Sequence, residues 1–226
     1  TSLNFFAVAY VDTQGVGEPF PAPILQSANP LYIMYFAPLI AVVWTWLGNR
    51  GIEPNSFIKF GLAMIQIGAG FFVLNLGIQT AVPDADGALR ISVLFIMLMY
   101  LLHTTGEIFL SPVGLSAVTK LSAKQIVGFM MGYWFLASSY ANVIAAGIAQ
   151  ATQVPEGAPA EESLAAYNAV YLQLGGAAVA LGVILLIASP WLRNLTKHAE
   201  RSHGPSDKDR RAEVDPAGVT LDRTKT

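Results

Sequence analysis

Long apolar stretches separated by short polar connectors make up most of the first 193 residues. Five of these stretches are long enough for a bilayer-spanning helix, which needs about 20 mostly apolar residues. They cover residues 30–47, 57–82, 91–110, 126–149 and 169–191. An apolar stub at residues 1–9 predicts the end of a sixth helix whose beginning precedes the chain. The pattern therefore predicts an all-α membrane protein, of which this chain is one part.

Basic residues are concentrated in alternate connectors. Twelve of the 13 Lys and Arg residues follow the first, third or fifth apolar stretch, and Arg90 is the exception. The opposite connectors carry acidic residues instead, among them Asp84 and Glu161. Cytoplasmic connectors of membrane proteins carry the excess of Lys and Arg. The charges therefore predict a multi-pass protein of the cell inner membrane with a cytoplasmic C-terminus, in contact with membrane lipid.

Composition supports a membrane location and excludes several other classes of protein. The chain is 54% hydrophobic and 12% charged, whereas soluble domains contain about 25% charged residues. It has no cysteine, and its net charge of −2 gives no argument for nucleic acid binding. No phosphate-binding loop, metal-binding motif or dinucleotide fingerprint is present. We therefore expect no enzyme activity, no metal and no cofactor.

The chain divides into two regions near residue 193. Residues 1–193 hold all the apolar stretches and form the predicted transmembrane region. Residues 194–226 mix charges with glycine and proline and show no apolar period, which is typical of a disordered segment. We predict a disordered cytoplasmic tail there.

Glu107 is the acidic side chain that lies deepest inside a predicted span. A charge at the centre of a bilayer costs about 2.5–3.5 kcal/mol on insertion scales, so such a residue usually faces a cavity or a partner. No span carries a Lys or Arg well inside it that could pair with Glu107. The partner would be a residue of another part of the protein, a substrate cation or a proton. The alternative is a carboxyl that stays neutral for packing or reaches toward the headgroups.

Residues around Glu107 extend this hypothesis. His103, Glu107 and Ser111 are four residues apart, which predicts one polar face of a helix. Pro112 cannot donate to the carbonyl of Ile108, so we expect a broken helix of the kind that builds transporter sites. His103 is either a proton relay or an ordinary hydrogen-bonding residue of a helix bundle.

Other polar and aromatic positions leave two interpretations each. Asn29 and Asn142 could bind a ligand, although Asn29 before Pro30 also has the pattern of a helix N-cap. Trp134 could line a substrate cavity or make ordinary core or lipid contacts. Gly128 and Gly132 form a G-x-x-x-G motif that predicts close packing of another helix.

A catalytic interpretation rests on one serine. Ser116 and His103 could in principle form the reactive pair of an intramembrane serine protease. Both residues, however, belong to the same predicted helix, and no second helix supplies a base.

Four segments resemble the proton-dependent oligopeptide transporter family of the major facilitator superfamily. The longest match is to its tenth-helix motif, at residues 106–116 (GEIFLSPVGLS). Residues 1–7 (TSLNFFA), 26–30 (QSANP) and 128–136 (GFMMGYWFL) resemble the seventh, eighth and eleventh helices. The matches fall in the family's order and extend over about residues 1–193. One departure is Ala141-Asn142, where the family usually has Gly-Asn.

This resemblance implies the C-terminal six-helix bundle of the major facilitator fold, with the end of helix seven plus helices eight to twelve. By position, Glu107 corresponds to the carboxylate that holds the peptide amino group and takes part in proton coupling. Ser111 and Asn29 correspond to residues near that amino group, and Trp134 to an aromatic wall of the pocket. The N-terminal half would supply the remaining binding residues and is the implied partner.

The function implied is symport of di- and tripeptides with protons by alternating access. Protons would be the coupling ion, and no cofactor would be needed. Two alternatives remain open from the sequence. A transporter of the same fold could carry another solute, such as an amino acid or a drug, and a related membrane protein could act as a sensor without transport.

Overall fold

A computed structural model describes residues 2–12, 22–84, 88–151 and 159–203. Six α-helices, three short β-strands and one 3₁₀ helix make up this part of the chain. In chain order they are α1 Ser2–Tyr10, β1 Val11–Asp12, the 3₁₀ helix Ala22–Ser27, α2 Ala28–Asn49, α3 Ser56–Gln79, β2 Val82–Pro83, β3 Leu89–Ser92, α4 Val93–Leu121, α5 Val127–Ala151 and α6 Ala160–His203. The predicted all-α architecture and the predicted helix at the start of the chain are confirmed.

Four helices in the described part of the chain are long and apolar enough to cross a membrane. They are α2, α3, α4 over Val93–Thr119 and α6 over Ala160–Leu195. The fifth predicted span, α5, forms a helix of 25 residues but is not among these four. Polar side chains such as Ser138, Ser139 and Asn142 lower its mean hydropathy, although its length suffices to span.

Three predicted boundaries are wrong because a helix extends further than expected, and one of them is the start of α6 at Ala160 instead of residue 169. Helix α4 passes through Pro112 and ends at Leu121, so the predicted break is absent. A proline removes one backbone hydrogen bond, but the apolar residues on either side still gain more from helix than from any unpaired conformation. Helix α6 runs to His203, ten residues beyond residue 193. Residues 194–203 contain no glycine or proline to end it, whereas Gly204 and Pro205 follow directly. The predicted disorder of residues 204–226 lies outside the described residues.

Helix α3 is central to the bundle because it packs against both α4 and α6. Its contact with α6 uses paired glycines: Gly61 meets Gly182, and Gly68 meets Gly175. A Cβ atom on Gly182 would lie 2.7 Å from the carbonyl oxygen of Gly61. The glycines on each helix are seven residues apart, so they recur on one face. The two backbones therefore approach more closely than any larger residue would allow.

Polar side chains add hydrogen bonds between α3 and its neighbours. The side chain of Asn75 donates to Asn168 on α6, and that of Gln66 donates to Thr105 on α4. At the start of α3, the side chain of Asn55 accepts a hydrogen bond from the Ile58 amide at 3.0 Å and donates to Ser189 on α6 at 3.2 Å. These bonds fix the register of three apolar helices whose packing alone specifies it weakly.

Helix α1 packs against the first half of α6. Phe6 packs edge-on against Tyr167 and Tyr171 of α6, with ring centroids 5.3 and 5.7 Å apart. Beside this aromatic cluster, β1 pairs parallel with β3, and β2 pairs antiparallel with β3. Arg90 of β3 donates to the Ala9 carbonyl at 2.9 Å and to Asp84 at 3.0 Å. Arg90 thus links the end of α1 to the connector before β3.

The glycine contact predicts opposite effects for two substitutions on α6. Gly182→Ala should lower the free energy of unfolding by about 1–3 kcal/mol, because its methyl group would collide with backbone atoms of α3. Gly176→Ala should be neutral or stabilising, because no atom lies within 4 Å of the added methyl group and alanine favours helix. Thermal unfolding of the purified variants in detergent measures both. Equal effects at the two positions would contradict the proposed backbone contact.

Candidate functional site

Glu107 lies in the middle of α4 and is exposed on the surface of the helical unit. The side chain of Asn29 donates a hydrogen bond to its Oε2 atom at 3.5 Å. Helix α2 begins at Ala28 with Ser27 as its N-cap, so Asn29 is not the cap that the Asn-Pro pattern predicts. Its amide is instead available to α4. Two of the predicted site residues, on different helices, are therefore in contact.

No positively charged side chain pairs with Glu107 within the described residues. Ion pairs join Lys59 to Glu53 and Arg90 to Asp84, and both lie in or beside connectors. No cluster of three metal-binding side chains occurs in the described ranges either. Glu107 therefore presents a carboxylate with one amide donor to whatever occupies its open side.

Ser111 and Trp134 are the other two predicted binding residues, and they lie at different distances from Glu107. Ser111 is exposed one turn after Glu107 on α4. Trp134 projects from α5 against Gly114, which is seven residues, or about 10 Å along the axis, beyond Glu107. The tryptophan thus meets the same helix as Glu107, two turns away from the carboxylate.

His103 does not join this face. Its Nε2 atom lies 3.0 Å from the carbonyl oxygen of Ile67 on α3, and its ring contacts Phe71 with centroids 4.7 Å apart. A Cβ atom on Gly70 would lie 2.5 Å from the imidazole. The predicted single face of His103, Glu107 and Ser111 is therefore split, because α4 turns His103 toward α3 and Glu107 toward α2. This geometry favours the ordinary hydrogen-bonding role over the relay.

The protease interpretation has no geometric support. Ser116 follows His103 by 13 residues on one continuous helix, which separates them by roughly 20 Å. Asn142, the other polar candidate, donates within α5 to the Ser138 carbonyl at 3.2 Å.

Two residues near the site are not found by sequence reasoning. Gly114 carries no side chain, so only the position of Trp134 shows its role. Lys59 has the pattern of a connector base, yet it is buried, pairs with Glu53 and lies 4.5 Å from the centre of the Trp44 ring. Trp44 also contacts Phe109 of α4, with ring centroids 5.3 Å apart. A lysine two residues inside an apolar stretch is the one signal the sequence offers.

Helix α5 leaves most of its surface open. A methyl group added at Gly128 or Gly132 would have no atom within 4 Å, so the predicted helix contact at this motif is not made by the described residues. Large apolar side chains of α5 are also exposed, including Phe129 at 73% and Val143 at 70%. Helix α2 has a similar open surface, on which Val42 and Tyr35 are exposed.

Curated relatives of this chain are peptide permeases. The dipeptide and tripeptide permease A of Chromobacterium violaceum is 35% identical over 203 residues, covering 89% of this chain and 40% of the permease. The protein of the same name from Edwardsiella piscicida is 35% identical over 198 residues, covering 87% of this chain and 39% of its own length. The chain therefore spans less than half the length of these relatives.

Solved structures give the same result for the fold. A crystal structure of the peptide transporter POT in complex with sulfate matches 83% of this chain and 35% of its own, with a TM-score of 0.69 and 30% identity. A POT family transporter in complex with a thioalcohol-conjugated peptide matches 84% of this chain and 36% of its own, with a TM-score of 0.68 and 28% identity.

The fold is that of solved POT transporters of the major facilitator type. The POT family sequence profile matches residues 1–169, and the chain belongs to this family. The resemblance found at residues 106–116 and the other three segments is confirmed.

The position of His103 predicts a loss of stability on substitution. His103→Leu should lower the free energy of unfolding by roughly 1 kcal/mol, because an interhelical hydrogen bond is lost. Ser111→Ala, on an exposed position of the same helix, should change it by less than about 0.5 kcal/mol. Thermal unfolding in detergent distinguishes the two. A stable His103→Leu variant would mean that the α3 contact contributes nothing.

Proposed function

We propose that this chain supplies the C-terminal half of a proton-coupled symporter of di- and tripeptides that works by alternating access. Membership of the POT family supports the proposal, as do relatives named dipeptide and tripeptide permease. The observation that carries it is the contact between Glu107 and Asn29 on the exposed side of α4 and α2. A carboxylate in an apolar helix with an open side is suited to a cationic group.

Glu107 has two roles in this proposal. As a carboxylate it accepts hydrogen bonds from the amino group of a peptide, beside the amide of Asn29 and the hydroxyl of Ser111. As a carboxylic acid it carries the coupled proton. Glu107 is in turn protonated, paired with the N-terminal half or bound to the peptide ammonium, and a contact that differs in this way between transporter states permits coupling. Trp134 bounds the pocket on the α5 side.

The remaining partner in this proposal is the N-terminal half of the same transporter. The relatives are more than twice as long as the aligned part of this chain, which leaves room for such a half. The exposed apolar surfaces of α2 and α5 suit a helical partner, and the open Gly128 and Gly132 would let it approach closely. The proposed location is the inner membrane, with the basic ends of α2, α4 and α6 in the cytoplasm.

The first test is uptake of labelled dialanine by the full-length transporter in proteoliposomes. We expect accumulation with an inward proton gradient and only equilibration without it. Absence of uptake by folded protein would overturn peptide transport and favour another solute or a sensor.

The role of Glu107 predicts a specific loss. Glu107→Gln should reduce gradient-driven uptake about 10- to 100-fold, because a hydrogen bond to a charged group contributes about 1.5–3 kcal/mol. Glu161→Gln, which removes a carboxylate from the exposed first turn of α6, should leave uptake unchanged. Equal uptake by the two variants would exclude Glu107 from coupling.

His103→Leu should retain the response of uptake to the proton gradient. If His103 were a proton relay, the variant would lose that response.

A further inference from the structure

An aromatic ring fills the space where Gly114 would carry a side chain. A Cβ atom built on Gly114 would lie 2.3 Å from Cη2 of Trp134, 2.8 Å from Cζ2 and 3.1 Å from Cζ3. These three atoms form the outer edge of the indole. Each glycine that joins α3 to α6 has a backbone oxygen of the other helix among its nearest atoms, whereas the three atoms nearest to Gly114 all belong to one side chain. Gly114 is buried by this contact, although it is on α4 beside exposed residues.

The same face of α4 carries the proposed binding residues. Glu107, Ser111 and Gly114 follow one another at intervals of four and three residues, which places them on one helical stripe. Trp134 therefore contacts this stripe at Gly114, about one turn beyond Ser111 and two turns beyond Glu107.

We propose that Gly114 is a positioning residue that seats the Trp134 indole against α4 and thereby sets the size of peptide side chain that the site accepts. The proposal rests on the function proposed above. Any side chain at residue 114 displaces the indole, because carbon atoms pack at about 3.5–4.0 Å and the methyl carbon of alanine would start 2.3 Å from Cη2. The ring must move by more than about 1 Å, away from α4 and into the space beside the stripe.

The test is a double-mutant cycle between residues 114 and 134 in the full-length transporter. The readout is the ratio of kcat/KM for dialanine to kcat/KM for diphenylalanine, which a general loss of folded protein does not change. Gly114→Ala should raise this ratio roughly tenfold, since a displacement of about 1 Å can cost up to 100-fold in rate. Trp134→Phe should lower the ratio, because the shorter ring leaves more space.

The double variant decides whether the two residues act together. In the Trp134→Phe background, Gly114→Ala should have no further effect on the ratio, because the outer edge of the indole is gone. The same change in ratio in both backgrounds, or no change in either, would overturn the proposal. Absence of dialanine uptake by the parent protein would instead count against the proposed function.

A measurement without substrate tests the contact between Gly114 and the Trp134 indole. Protein labelled with fluorotryptophan gives a ¹⁹F resonance for Trp134 that is identified by its loss in Trp134→Phe. Gly114→Ala should shift this resonance, whereas Gly128→Ala, an open position on α5, should not. An unshifted Trp134 resonance in Gly114→Ala would overturn the proposal whatever the transport data show.

Discussion

The close contact of α3 with α6 is the constraint on which the other helices depend. In a bilayer, apolar side chains gain little by leaving lipid, so helices associate through close packing and interhelical hydrogen bonds. Gly61 with Gly182 and Gly68 with Gly175 supply the first, and Asn75 with Asn168 supplies the second. Helix α4 then packs on the other side of α3, where His103 and Gln66 form hydrogen bonds across the contact.

Fixing α4 against α3 determines where its polar side chains point. The turn that directs His103 to α3 leaves Glu107 on the side of α2, where Asn29 reaches it. A carboxylate is costly in an apolar helix, and here the described residues supply one amide donor and no cation. The packed side of the helix thus uses its polar groups for structure. On the open side, Glu107 is left with an amide donor and no cation among the described residues.

The sequence predicts the helices, and singles out Glu107 as a candidate, for clear physical reasons. Apolar length and alternating basic connectors depend on the bilayer more than on tertiary contacts, so they are visible residue by residue. The prediction misplaces the ends of α4 and α6 because Pro112 does not break its helix, and because the charged residues after 193 continue the helix. Neither the contact of Trp134 with Gly114 nor the burial of Lys59 is visible in a pattern of apolar and polar positions.

By itself, the sequence determined the class of protein, the family motif around Glu107 and the cost of placing a carboxylate there. Only the tertiary structure decided that Asn29 contacts Glu107, that His103 belongs to the α3 contact and that Trp134 meets α4 at Gly114. The reason is geometric. A helix sequence specifies which residues share a face, but the rotation of that helix is set by the glycines and hydrogen bonds of its neighbours, which are distant in the chain.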